Sequence, residues 1–127
     1  MSSVVLDASA VIAVLNQESG AEQLMPHLVN ACCSTVNAAE VQGKLVERGL
    51  DPDEAWEDVE AVINEILPFT AQHAKAAGTL IAVTRASGLS LGDRSCLALA
   101  LSLSLPVYTA DRSWKHLKLA VPIHVIR

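Results

Sequence analysis

The sequence predicts an α/β fold: one domain, residues 1–127, with a mostly parallel central sheet flanked by helices. Three observations predict it. Short apolar runs recur along the chain and read as buried strands: "VVL" from Val4, "ACCS" from Ala31, "ILPF" from Ile66, "PVYTAD" from Pro106 and "VPIHVIR" from Val121. Helical stretches separate most of them. The joints are short, with no linker, repeat or low-complexity tract, so the alternation builds one layered unit.

In order, Val4-Val5-Leu6 is the first strand, and Ser9 to Asn16 the first helix. "QESGAEQLMPHLV" reads as a second helical stretch that Pro26 kinks. "ACCS" follows as a strand. From Asn37 the pattern turns helical, with Val41, Leu45 and Val46 along one side and Gly49 ending it. "DPDEAWEDVEAVINEI" opens with Asp51 as cap and Pro52 at the first helical position. Its apolar set, Ala55, Val59, Val62, Ile63 and Ile66, keeps helical spacing. "TAQHAKAAGTLIAVTRAS" is one further helix, closed by Gly88, and "LGDRSCLALALSLSL" a largely buried one.

The bulk numbers exclude several classes. An apolar fraction of 51 % in 127 residues rules out a disordered chain. A net charge of −5 argues against coating nucleic acid by charge alone. The charge is unevenly spread, however. Residues 1–84 carry three Lys/Arg against twelve Asp/Glu, while residues 85–127 carry six against two. A basic last third suits an anionic partner, although scattered solvated charges give the same count. The three cysteines, Cys32, Cys33 and Cys96, are odd in number and show no C-x-x-C spacing. They read as small reduced core residues of a cytoplasmic protein. Asp7 interrupts the apolar start and no basic residue precedes it, so the start does not read as a secretory signal. "LALALSLSLPV" is too short to cross a membrane.

Four acids stand out: Asp7, Glu40, Asp93 and Asp111. Each has an ordinary structural explanation. Asp7 is placed to cap the helix after it. Asn37-Ala-Ala-Glu40 and Ser90-Leu-Gly-Asp93 fit capping boxes. Asp111 suits a turn. Together they share a location. Asp7 and Asp111 follow strands directly, and Glu40 and Asp93 fall in first helical turns. In open parallel sheets both positions point to one edge, where sites form. Carboxylates converging there repel one another and call for a cation, and an all-oxygen set suits Mg²⁺ or Mn²⁺. Such a site serves phosphoryl chemistry. His27, His73, His116 and His124 show no ligand spacing, and there is no Gly-rich phosphate loop.

The stretches "VVLDASA", "NAAEV", "LSLGDRSCLALA" and "LPVYTADRSW" resemble, in order and over nearly the whole chain, the motifs of PIN-domain proteins. They are most similar to the VapC-type toxins of bacterial toxin–antitoxin pairs. The resemblance implies a Mg²⁺-dependent endoribonuclease that cleaves RNA phosphodiesters with a metal-activated water. It also implies a homodimer and a small antitoxin laid over the toxin groove. The family's acids fall on Asp7, Glu40, Asp93 and Asp111. Asp7 and Asp93 are expected as direct metal ligands, with Glu40 and Asp111 acting through waters. Ser9 and Thr109 match the hydroxyl positions beside the first and last acids, where a local backbone hydrogen bond is the competing role. Some relatives carry a further acid one turn after the third. Here the stretch reads Arg94-Ser95-Cys96-Leu97, which weakens the case for a second metal.

Two other classes gather acids around Mg²⁺ at strand ends. A receiver-type signalling domain needs an Asp at a mid-chain strand end and a late Lys, and neither "ACCS" nor "ILPF" ends in Asp. A phosphatase with an Asp nucleophile needs Asp-x-Asp, and position 9 is Ser. A catalytically inactive PIN fold kept for binding is the remaining alternative. With only Trp56, Phe69, Tyr108 and Trp114 as aromatics, a stacking platform for RNA is not expected. Grip on the substrate is expected from Arg94, Arg112 and Lys115, which lie close to Asp93 and Asp111 in sequence. The apolar fraction also fits a surface partly covered by association.

Overall fold

The computed structural model describes residues 1–127. Five short strands form one parallel sheet: β1 (Val4–Leu6), β2 (Ala31–Ser34), β3 (Glu65–Leu67), β4 (Val107–Thr109) and β5 (Ile123–Val125). Their spatial order is β3-β2-β1-β4-β5. Val5 stands beside Cys32 on one side and Val107 on the other, so β1 is central. Helices α1 (Ala8–Leu15), α2 (Thr35–Glu47), α3 (Pro52–Val62), α4 (Ala71–Thr79), α5 (Ile81–Thr84) and α6 (Leu91–Leu103) connect the strands, with 3-10 turns between them.

The inner strands β1, β2 and β4 read as nearly unbroken apolar runs because both of their faces are covered, while the edge strands β3 and β5 carry Glu65 and the exposed His124. Val4, Leu6, Ala31 and Cys33 pack on one face with α1, α2 and α3 residues such as Val11, Val41 and Val59. Val5, Cys32 and Val107 pack on the other with Leu97, Leu99 and Trp114. Alternation along each strand sends neighbours to opposite faces.

The element order follows the expectation, and four details are corrected. Residues 17–30 form two 3-10 turns, Ala21–Gln23 and Met25–Asn30, in place of a kinked helix. Gly20 breaks the path at φ +91°, where a Cβ would lie 2.8 Å from the carbonyl carbon of Ile126. Helix α2 begins at Thr35 with Ser34 as cap, so Asn37 is inside the helix and Glu40 lies in its second turn. Helix α3 stops at Val62. Ile63 is extended, and the Asn64 N–H donates to the Ala31 carbonyl at 3.0 Å, so Ile66 belongs to β3. The helix of residues 71–87 is broken into α4, α5 and a 3-10 turn. There Thr79 and Thr84 hydroxyls donate to the carbonyls of Lys75 and Leu80, a back-bonding that bends helices.

The strand order also locates the site. From β1 the chain winds outward to β2 and β3, then crosses to β4 and β5 on the other side. The switch point lies between β1 and β4, where open α/β sheets bind ligands beyond the strand C-termini. Asp7 follows β1 directly and Asp111 lies just past the end of β4. The N-terminus of α2 leaves the same edge. Helix α6 returns toward the start of β4, so its N-terminus is there too.

Candidate functional site

Asp7 is the centre of the arrangement. It caps α1, accepting from the Ala10 N–H at 2.8 Å. The Ser9 hydroxyl donates to it at 2.8 Å and the Thr109 hydroxyl at 2.6 Å. Only 2 % of Asp7 is exposed. Burial raises its carboxyl from the ordinary 3.8 to about 6, the Asp93 charge adds to the rise, and the three hydrogen bonds work against it.

Ser9 and Thr109 lace the two strand ends together. Ser9 Oγ accepts from the Ala110 N–H at 2.9 Å, and Thr109 Oγ1 accepts from the Asp111 N–H at 3.0 Å. Thr109 thus makes a local backbone bond and Ser9 a backbone bond across the two strand ends, and both hydroxyls donate to Asp7. Asp111 sits at the mouth, where Oδ1 accepts from the Ser113 N–H at 2.9 Å and caps the 3-10 turn Arg112–His116.

Asp93 closes a capping box with Ser90. Its own N–H donates to Ser90 Oγ at 3.2 Å, and Asp93 Oδ2 accepts from the Ser90 N–H at 2.9 Å. Glu40 lies against the same helix start. The Asn37 side-chain amide donates to Glu40 Oε1 at 2.8 Å and to the Gly92 carbonyl at 3.0 Å. The four acids thus form one connected set. Thr109 joins Asp111 to Asp7, Asp93 lies within electrostatic reach of Asp7, and the Asn37–Gly92 bridge brings Glu40 to the neighbour of Asp93.

No three acids, histidines or cysteines close into a metal cage. The residues nonetheless fit a hydrated Mg²⁺ or Mn²⁺, a cation that keeps several waters and takes one or two carboxylates. Every donor at the site is oxygen. Asp7 is a buried carboxylate facing a second acid with no cationic partner, and Asn37 Oδ1 is a buried acceptor left without a donor.

Cys96, one turn after Asp93, is fully buried. Burial holds its thiol well above the usual range, with nearby Asp7 and Asp93 contributing, so it stays a neutral packing group. The histidines lie elsewhere. Tyr108 hydrogen-bonds His27 at 3.2 Å and stacks on His124, and His73 caps α4.

The three basic residues expected to hold RNA separate. Arg112 and Lys115 are exposed on the turn that Asp111 caps. Arg112 lines an open cleft of about 600 Å³ with Ser9, Ala110, Asp111 and Arg127. Arg94 does not join them. Its guanidinium donates to the Ala77 carbonyl of α4 at 3.0 Å, and its Nε is buried. The physical reason is helical phase: one residue beyond Asp93 turns the side chain about 100° around α6, toward α4.

Sequence reasoning missed two contributors. Arg127 reaches the cleft and pairs with Glu18. Nothing local signals this, because the pairing spans the whole chain. Asn37 reads from the sequence as a cap, and the structure puts it inside α2. The signal against that was Ser34, an earlier capping residue at the end of a strand, which puts Asn37 and Glu40 at i, i+3 on one helix face.

A five-stranded parallel sheet with four acids along its switch-point edge defines the class: an α/β domain with a carboxylate site. The sequence matches the PIN domain family over residues 4–119, and the chain belongs to that family. No curated protein matches it in sequence. Among solved structures it is similar to DNA-bound VapBC from Salmonella typhimurium, at 22 % identity and TM-score 0.74 over 100 % of both chains. VapC20 of Mycobacterium tuberculosis, a toxin that cleaves the sarcin–ricin loop, aligns at 19 % identity and TM-score 0.71 over 87 % of this chain and 91 % of its own. VapBC-1 from nontypeable Haemophilus influenzae aligns at 18 % identity and TM-score 0.66 over 97 % of each. At these identities the likeness is one of fold. No helix is long and apolar enough to cross a membrane.

Proposed function

We propose that the chain is a metal-dependent endoribonuclease and the toxin of a toxin–antitoxin pair. The observation that carries this reading is the linked set Asp7, Glu40, Asp93 and Asp111 around a buried carboxylate at the switch point. A hard divalent cation, Mg²⁺ or Mn²⁺, supplies Lewis acidity for phosphodiester hydrolysis when bound. Asp7 and Asp93 are its ligands, and Glu40 and Asp111 complete the charge. Ser9 and Thr109 orient Asp7 by donating to its carboxylate. Arg112 and Lys115 hold the RNA backbone where the cleft opens.

The structural neighbours include toxin–antitoxin complexes, which supports an antitoxin partner for this chain. Met25, Val29, Ile81, Val83 and Leu91 stay exposed, and a homodimer together with an antitoxin would cover such side chains. Incubating the purified chain with RNA in Mg²⁺, Mn²⁺ or excess chelator tests the reading. Cleavage is expected only with a metal and only with Asp7 and Asp93 intact. Persistent cleavage by Asp7→Asn, or in chelator, would overturn it. An intact protein that binds RNA without cleaving it would favour the inactive binding module.

A further inference from the structure

Glu40 is the one acid of the four that neither follows a strand nor caps a helix. It sits in the second turn of α2, on a long side chain, partly buried. A glutamate so placed loses rotamer freedom only if something holds it. Two groups do. Asn37 is 1 % exposed and forks its amide between Glu40 Oε1 at 2.8 Å and the Gly92 carbonyl at 3.0 Å. Gly92, also buried, leaves the space that the carboxylate fills. A Cβ there would stand 2.6 Å from both Cδ and Oε2 of Glu40. The other end of the amide is left over: Asn37 Oδ1 is buried and accepts no hydrogen bond from the protein. An orphaned buried acceptor costs stability, and its retention calls for a donor such as an ordered water.

We propose that Asn37 and Gly92 are positioning residues for the carboxylate site. Together they pin Glu40 against the start of α6 beside Asp93. The inference rests on the metal-site reading above and deepens it. Asn37 also ties α2 to α6, so it sets the separation of Glu40 from Asp93 as well as the angle of the carboxylate. Partners of this kind tune metal affinity about 10- to 100-fold.

The test is Mn²⁺ binding alone, measured by calorimetry on metal-free protein, for the parent, Asn37→Ser, Gly92→Ala and Asp7→Asn. Gly92→Ala is the cleaner variant. It adds a good helix former, and its Cβ meets the flexible end of Glu40, so the carboxylate swings aside while the fold stands. Both positioning variants are expected to weaken Mn²⁺ about 10- to 100-fold. The double variant should lose less than the two losses combined, because both act through Glu40. Unfolding midpoints of the metal-free proteins separate a folding defect from a binding one. If Asn37→Ser loses its fold, Gly92→Ala alone decides. Parent-like Mn²⁺ affinity in a folded Gly92→Ala protein overturns the inference and leaves the nuclease reading standing. A parent that binds no more Mn²⁺ than Asp7→Asn overturns both.

Discussion

Replacing Asp7 by Asn should change how the stability of the metal-free protein depends on pH. The folded carboxyl is raised from 3.8 to about 6 by burial and by the Asp93 charge. That difference corresponds to about 3 kcal/mol between the protonated and ionised forms. The folded state holds this proton more tightly than the unfolded chain does. The contribution is therefore fully present below about pH 4 and is lost as pH rises through about 6. Asn carries no charge at any pH, so the variant escapes that loss. Its own cost, imperfect hydrogen bonding to Ala10, Ser9 and Thr109, is constant with pH. The stability difference between variant and parent should therefore move by about 3 kcal/mol in favour of the variant between about pH 4 and about pH 7.5. Urea unfolding in chelator at several pH values measures this, and the titration of groups that do not interact with Asp7 cancels in the difference. A difference that stays flat would refute the reasoning, because Asp7 would then not ionise against a burial cost. A shift of opposite sign would mean that a cation-like partner already neutralises Asp7. Adding Mn²⁺ at neutral pH should stabilise the parent and leave the variant unchanged.

Other outcomes follow from the same geometry. Asp93→Asn should abolish RNA cleavage, as should Asp7→Asn, while circular dichroism stays that of the parent. In the RNA-binding assay at varied salt, Arg112→Ala and Lys115→Ala should each make the slope of log affinity against log salt shallower by about 0.7, the value for one single-strand phosphate contact. An unchanged slope in the double variant would move the RNA path to another face. Arg94→Ala should leave that slope alone and lower the unfolding free energy by about 1 kcal/mol, through the lost hydrogen bond to Ala77. Light scattering at micromolar concentration should give a dimer mass, and a monomer across that range would count against self-association.

The sequence by itself determined the layered α/β architecture, the strand positions and the edge where the acids meet. Those signals are local. Strands buried on both faces must be apolar throughout, and Ser90-Leu-Gly-Asp93 or Asp51-Pro52 states a helix start within four residues. Asp7, Asp93 and Asp111 were legible because strand ends and helix starts are sequence positions, and a parallel sheet sends both to one edge, whereas Glu40 reaches that edge from the second turn of α2. Only the tertiary structure decided the rest. The Thr109–Asp7 hydrogen bond joins residues 102 apart in the chain, and the Asn37–Gly92 bond joins residues 55 apart. Arg127 meets Glu18 because β5 lies at the sheet edge and its end comes back toward the loop after α1. Arg94 turned to α4 because helical phase and a neighbouring carbonyl decide where a guanidinium goes. Ile66 fits both the helical spacing before it and the strand run it opens, and pairing with β2 decided for the strand. Periodicity fixes which element forms and which side is apolar. The partner of a polar group is set by which elements pack together, and that is settled only when the chain has closed on itself.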